Sequence, residues 1–219
     1  NQSGLEALQA ELGAENCMTG QLDVSDKAAF ERAVNAFSEA TGERMDILFN
    51  NAGIAMRGFF DEMPFDEQMR IVQVNFIGVL NGIYTALPLL KATPNALCFT
   101  TSSSSATMGM PLIAVYSATK HAVKGLTEAL SNEFRRHDIR VADVLPGLIR
   151  TGMPDEALLA AAAETGAFRV IEAVEVAKVV WQAYQSDTLH WYVPEELAEL
   201  DKAAGNHPEK LRDKLARQL

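Results

Sequence analysis

The sequence predicts an α/β protein built on a parallel sheet, and three observations carry that expectation. Strand-like runs alternate with helical ones along the chain, as in βα units whose strands run parallel. The run Leu97-Cys-Phe-Thr-Thr101 is short, apolar and β-branched, and reads as a buried strand. Small polar residues follow it, beginning with Ser102-Ser103, at the kind of strand end where open α/β sheets bind ligands.

Local signals justify each element in turn. Residues 3–12 form an amphipathic helical run, and residues 17–22 read as a strand ending in Asp23-Val24. Ser25 is the expected N-cap of a helix that runs to about residue 40 and closes at Thr41-Gly42. A hydroxyl satisfies free N–H groups of a first turn, and glycine tolerates the left-handed stop. Residues 45–49 read as a buried strand that delivers Asn50-Asn51-Ala52-Gly53. Residues 65–91 read as a long helix with Asn75 inside it. Its stretch 71–90 is mostly apolar but holds Gln73, Asn75, Asn81 and Pro88. Lipid tolerates such groups poorly, so a core helix is expected and not a membrane span. Strands follow at 97–101 and 139–145, with a helix at 116–137 between them. A helix at 172–185 and a short last strand at 191–193 complete the pattern. Residues 158–163 are the low-complexity patch, read as a helical piece of a covering segment. Residues 195–204 and 208–219 read as charged helices, packed on a neighbouring subunit or solvated.

A length of 219 residues suits one domain spanning 1–219, and a hydrophobic fraction of 48% is ordinary for a soluble globular chain. The net charge of −10 argues against nucleic acid or an anionic membrane as partner. Cys17 and Cys98 fall in expected strands and suggest no disulfide framework. Buried free thiols fit a reducing cytosol, so a cytoplasmic location is expected. The four histidines are scattered, without metal-ligand spacing.

The most informative constellation is Tyr116 with Lys120, four residues apart on one helix face. A free phenol, with a pKa of about 10, exchanges protons poorly at neutral pH. A nearby cation stabilises the phenolate and lowers that value, giving a group fit for general acid-base work. The bland alternative is a solvated helix face. Ser103 precedes Tyr116 by thirteen residues and can donate a hydrogen bond to an oxygen gaining negative charge. Four serines in a row, Ser102 to Ser105, leave open which face each takes. Ser103 is chosen on spacing, against the reading that all four are turn residues.

These residues, with Asp23-Val24, Asn50-Asn51-Ala52-Gly53, Asn75 and Pro146-Gly147-Leu148-Ile149-Arg150-Thr151, occur in the order and at the intervals of one family. The chain resembles a short-chain dehydrogenase/reductase of the compact, single-domain branch, to about Val193. The resemblance implies a Rossmann-like, doubly wound parallel sheet in three α/β/α layers. It implies an NAD- or NADP-dependent oxidoreductase acting between a secondary alcohol and a ketone. Tyr116 is then the acid or base, and Lys120 holds the nicotinamide ribose and lowers the tyrosine pKa. Ser103 orients the carbonyl, while Asn75 distorts its helix and holds a relay water. Asp23 and Val24 meet adenine, and Asn51, Ala52 and Gly53 border the adenosine ribose. Pro146, Gly147, Ile149 and Thr151 meet the nicotinamide end. A homodimer or homotetramer is implied. Alternatives are a sugar-nucleotide epimerase or dehydratase, and a non-catalytic dinucleotide sensor.

One departure is large. The family opens with a strand, a glycine-rich turn and a helix, and Asn1 onward resembles the family's second helix. A fragment, or the ordered part of a longer protein, is therefore expected, inactive alone because that turn brings N–H groups to the pyrophosphate. Residues 152–170 are expected to cover the substrate. Met108, Met110, Leu148, Met153 and Phe168 suggest either an apolar pocket or packing in the core or at a subunit contact. Arg150 reads as a solvated charge.

Overall fold

The computed structural model describes residues 1–217. In chain order its elements are helices α1 (Gln2–Leu12) and α2 (Lys27–Thr41), strand β1 (Ile47–Asn50) and helix α3 (Phe65–Val72). Helix α3 runs through a π-helical turn (Gln73–Ile77) into α4 (Gly78–Ala92). Then come β2 (Leu97–Thr101), a 3₁₀ turn (Ser104–Ala106), α5 (Ala114–Glu133), β3 (Arg140–Pro146) and β4 (Leu148–Arg150). The chain continues through α6 (Glu156–Ala160), β5 (Val170–Glu172), α7 (Ala173–Tyr184), β6 (His190–Val193), α8 (Leu197–Asn206) and α9 (Pro208–Ala216).

Strands β1, β2, β3 and β6 lie side by side in that order, each pair parallel. Alternation along the strands separates two cores. Cys98 and Val141 face Phe30 of α2, Val79 and Ile83 of α4 and Val123 of α5. Leu97, Phe99, Ala142 and Val144 face Ala183 of α7. The sheet is thus covered on both sides, the arrangement parallel strands require. Complete burial of Leu97 and Phe99 contributes about 1.5–3 kcal/mol each. Cys98 is fully enclosed, and burial pushes its thiol up to about 12. The long helix has the length and composition of a membrane span; in this fold Val79, Ile83, Ala86 and Leu90 belong to the core.

Three expectations need correction, and one element was not expected. Residues 17–22, Cys17 included, form no strand. A strand needs a ladder partner, and among the described residues β1 pairs with β2 alone. The N-cap of α2 is Asp26, whose carboxylate accepts from the N–H groups of Ala28 and Ala29, at 2.9 and 3.1 Å. The Ser25 hydroxyl donates instead to Asp23 Oδ1 at 2.6 Å. Strands β4 and β5 form a second, two-stranded parallel sheet that no sequence signal suggested. It clamps the two ends of segment 152–170, which holds α6 between them. The C-terminal helix α8 is neither free nor merely charged. Leu197 is fully buried, and Asp201 accepts from Lys124 Nζ of α5 at 2.7 Å and from the Tyr192 hydroxyl at 2.6 Å. The expected helix at 208–219 appears as α9, with residues 218–219 outside those described.

Candidate active site

Strand β2 ends at Thr101, and the chain turns at once. Ser103 caps the 3₁₀ turn, its Oγ accepting from Ser105 N at 3.1 Å. The turn leads to α5, whose first turn carries Tyr116 and whose second carries Lys120. Leu112, just before α5, has φ of 66°. A bulky side chain is strained there. Its carbonyl accepts from Gly58 N at 2.8 Å, tying the entry of α5 to the loop after β1. Ser117 reinforces the entry by accepting from Met110 N at 3.1 Å.

The four serines take distinct partners. Ser102 Oγ donates to the Lys120 carbonyl at 3.1 Å, stapling α5 to the end of β2. The Ser103 hydroxyl acts on Tyr116, drawing its pKa downwards. The Ser104 carbonyl accepts from Thr107, and Ser105 Oγ is buried without a partner among the described residues.

Lys120 is buried, with its Nζ donating to the Thr101 carbonyl at 2.7 Å and lying 5.6 Å from the centre of the Tyr116 ring. Burial lowers its pKa to about 8. Burial also dominates at Tyr116, holding the phenol above its ordinary value, while the Ser103 hydrogen bond pulls the other way. The lowering expected from Lys120 is therefore not what this geometry gives: desolvation of the phenolate outweighs it.

Asn75 is fully buried in the π-helical turn. Its Oδ1 accepts from Ile54 N at 2.8 Å, and its Nδ2 donates to Ile54 O at 2.9 Å. The same Nδ2 lies 3.4 Å from Thr119 Oγ1, and Thr119 in turn donates to the Tyr116 carbonyl at 2.7 Å. The helix is distorted at Asn75, and the amide bonds the backbone of Ile54. Gly53 sits at this junction. A Cβ there would come within 3.4 Å of Asn75 Oδ1 and 3.7 Å of Lys120 Nζ.

The remaining candidates are more open to solvent. Asp23, Asn51, Ala52 and Thr151 are exposed, while Val24, Pro146, Gly147 and Ile149 are half-buried. Asp23 Oδ1 accepts from Ser25 N at 2.9 Å and from the Ser25 hydroxyl, which together hold its carboxyl below the usual range. Its Oδ2 has no hydrogen bond among the described residues. Asn51 Oδ1 accepts from Thr101 Oγ1 at 2.8 Å. Arg150 is exposed and paired with Glu172 at 2.9 Å. A recess beside Tyr116 is lined by Met56, Phe60, Met63, Ile71 and Ile113. The five residues read as either an apolar pocket or packing do not line it: Met108 is buried in keeping with packing, and Met153 and Phe168 stand exposed. Sequence reasoning also missed Thr101, Ser102 and Thr119 as anchors of Lys120 and Tyr116, although the serine run and the strand end were in view.

The arrangement fits a dinucleotide on its own terms. Lys120 has ammonium donors beyond the one given to Thr101, Asp23 keeps an acceptor oxygen, and Gly53 leaves room beside Lys120.

Comparison with known proteins agrees. Residues 1–161 match the model of the short chain dehydrogenase family. A 3-alpha-(or 20-beta)-hydroxysteroid dehydrogenase of Mycobacterium bovis is 34% identical over 178 residues, 80% of this chain and 66% of that protein. A trans-4-hydroxycyclohexanecarboxylate dehydrogenase of Sinomonas cyclohexanicum is 33% identical over 142 residues, 65% of this chain and 54% of that protein. The chain spans about half the length of several such curated relatives. Among solved structures, a 3-ketoacyl-(acyl-carrier-protein) reductase of Brucella melitensis complexed with NADH is similar with a TM-score of 0.78 and 25% identity, over 88% of this chain and 83% of that one. A short chain dehydrogenase/reductase of Burkholderia phymatum in complex with NAD shares the fold, with a TM-score of 0.82 and 24% identity over 96% of this chain and 83% of that one.

Proposed function

As the chain belongs to the short-chain dehydrogenase family, we propose that it serves an NAD(P)-dependent oxidoreductase that interconverts a secondary alcohol and a ketone. The observation that carries this reading is Lys120, buried one turn along α5 from Tyr116, with its Nζ anchored on the Thr101 carbonyl at 2.7 Å and 5.6 Å from the centre of the Tyr116 ring.

Tyr116 exchanges the proton of the substrate oxygen, donating in reduction and accepting in oxidation. Burial keeps the phenol protonated at neutral pH, the state that reduction begins from. Ser103 holds the substrate oxygen and offsets charge developing on it. Lys120 contributes its remaining N–H donors to the nicotinamide ribose, and Asn75 keeps Gly53 and Ile54 in place and supports a water relay. Asp23 and Val24 would receive adenine, Asn51, Ala52 and Gly53 would border the adenosine ribose, and Pro146, Gly147, Ile149 and Thr151 would hold the nicotinamide end. The bound dinucleotide supplies or accepts the hydride, while the protein orients and polarises.

The substrate is a small apolar alcohol or ketone. The methionines and isoleucines of the recess beside Tyr116 support that class. Residues 1–219 act as one dinucleotide-binding domain, segment 152–170 covers the substrate, and copies assemble as a homodimer or homotetramer in the cytoplasm. The decisive test is Tyr116→Phe in the full-length protein. Turnover is expected to fall by about 10³-fold while dinucleotide binding, read by fluorescence titration, stays at the wild-type level. Turnover near wild type would end the reading.

A further inference from the structure

We propose that Asn81 is a positioning residue for adenine recognition, fixing the backbone of the Asp23-Val24 turn from the long helix. The proposal deepens the reading above and rests on its assignment of Asp23 and Val24 to adenine.

Asn81 lies in α4 and is 8% exposed. Its Nδ2 donates to the Val24 carbonyl at 2.9 Å and lies 3.4 Å from the Ser25 carbonyl. These partners are 57 and 56 residues away in sequence, so the bond is tertiary and no part of local turn chemistry. The turn's own hydrogen bonds, from Ser25 to Asp23 Oδ1 and from Asp26 N to the Asp23 carbonyl, shape it internally. They do not say where it sits against the sheet. Asn81 does, and so does Gly78 one turn earlier. A Cβ at Gly78 would come within 2.6 Å of Val24 Cγ2, so α4 touches this turn as closely as a helix can. Val24 is held by a hydrogen bond on its carbonyl and by helix backbone against its side chain.

The same helix does this twice. Six residues before Asn81, Asn75 grips the backbone of Ile54 through both polar atoms of its amide. At 3.6 residues per turn those two amides cannot share a face. One therefore reaches the loop beside Tyr116 and Lys120, and the other reaches the adenine turn. The helix sets the spacing between the two ends of the dinucleotide site. Without the Asn81 amide, the half-buried Val24 carbonyl loses its donor, and the cost is met by movement of the turn. The acceptor oxygen of Asp23 and the N–H of Val24 then lose their alignment to adenine.

The test compares the nicotinamide adenine dinucleotide with its hypoxanthine analogue, which lacks the amino group that Asp23 would accept from. Steady-state constants are measured on the full-length protein. The wild type is expected to favour the adenine form by about tenfold in KM, the worth of one lost hydrogen bond to a charged group. Asn81→Leu is expected to raise KM for the adenine form about tenfold, to hold kcat within about twofold and to bring the two KM values together. A merely structural role would raise both KM values in parallel. A preserved ratio, or an unchanged KM for the adenine form, overturns the proposal. Should Asn81→Leu not fold, Gly78→Ala, which drives a methyl group against Val24, is read by the same ratio and the same criterion. A wild type indifferent to the two dinucleotides would instead sink the assignment of Asp23 and Val24, and the role of Asn81 with it.

Discussion

At the catalytic end of the site Ser103, Lys120 and Asn75 are buried, and their polar atoms bond backbone or neighbouring side chains. At the proposed adenine end Asp23, Asn51 and Ala52 stand exposed. In the proposed function the first end would act on protons and developing charge, which require desolvated groups in fixed places. The second would hold a ring whose own surface excludes water on arrival. Burial therefore marks the residues whose protonation matters, and it makes them costly to the fold. Lys120 shows the cost. Confining an ammonium so that its pKa falls from 10.5 to about 8 corresponds to about 3 kcal/mol against the charged form.

Substitutions at the two ends should differ in kind, and the largest contrast comes from Lys120→Met. Turnover is expected to fall by about 10³-fold, yet the variant should unfold at a higher temperature at pH 7, because the buried charge is gone. The sign follows from linkage. The folded-state pKa lies below the unfolded one, so the unfolded chain holds more protons between them. The penalty from Lys120 is complete below pH about 8 and fades as pH rises from there towards 10.5. The stability advantage of the variant should therefore shrink across that window in thermal melts. An advantage that grows with pH would break the comparison.

Next in size is Asn75→Leu, which leaves the N–H and carbonyl of Ile54 without partners. A loss of about 2–3 kcal/mol is expected in urea unfolding, together with reduced turnover. The smallest effect belongs to Asp23→Ala. The unfolding midpoint should stay near wild type, with KM for the dinucleotide raised several-fold and kcat preserved. If this exposed position proved as costly to stability as Asn75, the division between the two ends would fail.

Much of this was legible in the sequence because it rests on periodicity and spacing. The buried run 97–101, the Tyr116–Lys120 interval and the polar Asn75 in an apolar helix all reported something local. What stayed hidden depends on tertiary neighbours. Residues 17–22 have the composition of a strand, but no ladder partner stands beside them among the described residues. Asp26 and Ser25 are both good caps, and their choice turned on the Asp23 carboxylate, which takes the serine. The direction of the Tyr116 shift depends on burial, which no spacing reports. Asn81 was visible only as an interruption of hydropathy, since its partners Val24 and Ser25 are remote in sequence.

Strand β2 ends in the Ser103 turn, and its second residue, Cys98, is enclosed between the sheet and the helices above it. A maleimide or disulfide reagent can label that thiol only after the strand parts from its neighbours. Cys17, half-buried in the connection after α1, needs no such event. The protein thus carries a built-in chemical stopwatch for the opening of the strand that delivers Ser103, with an early-reacting sulfur to mark time zero.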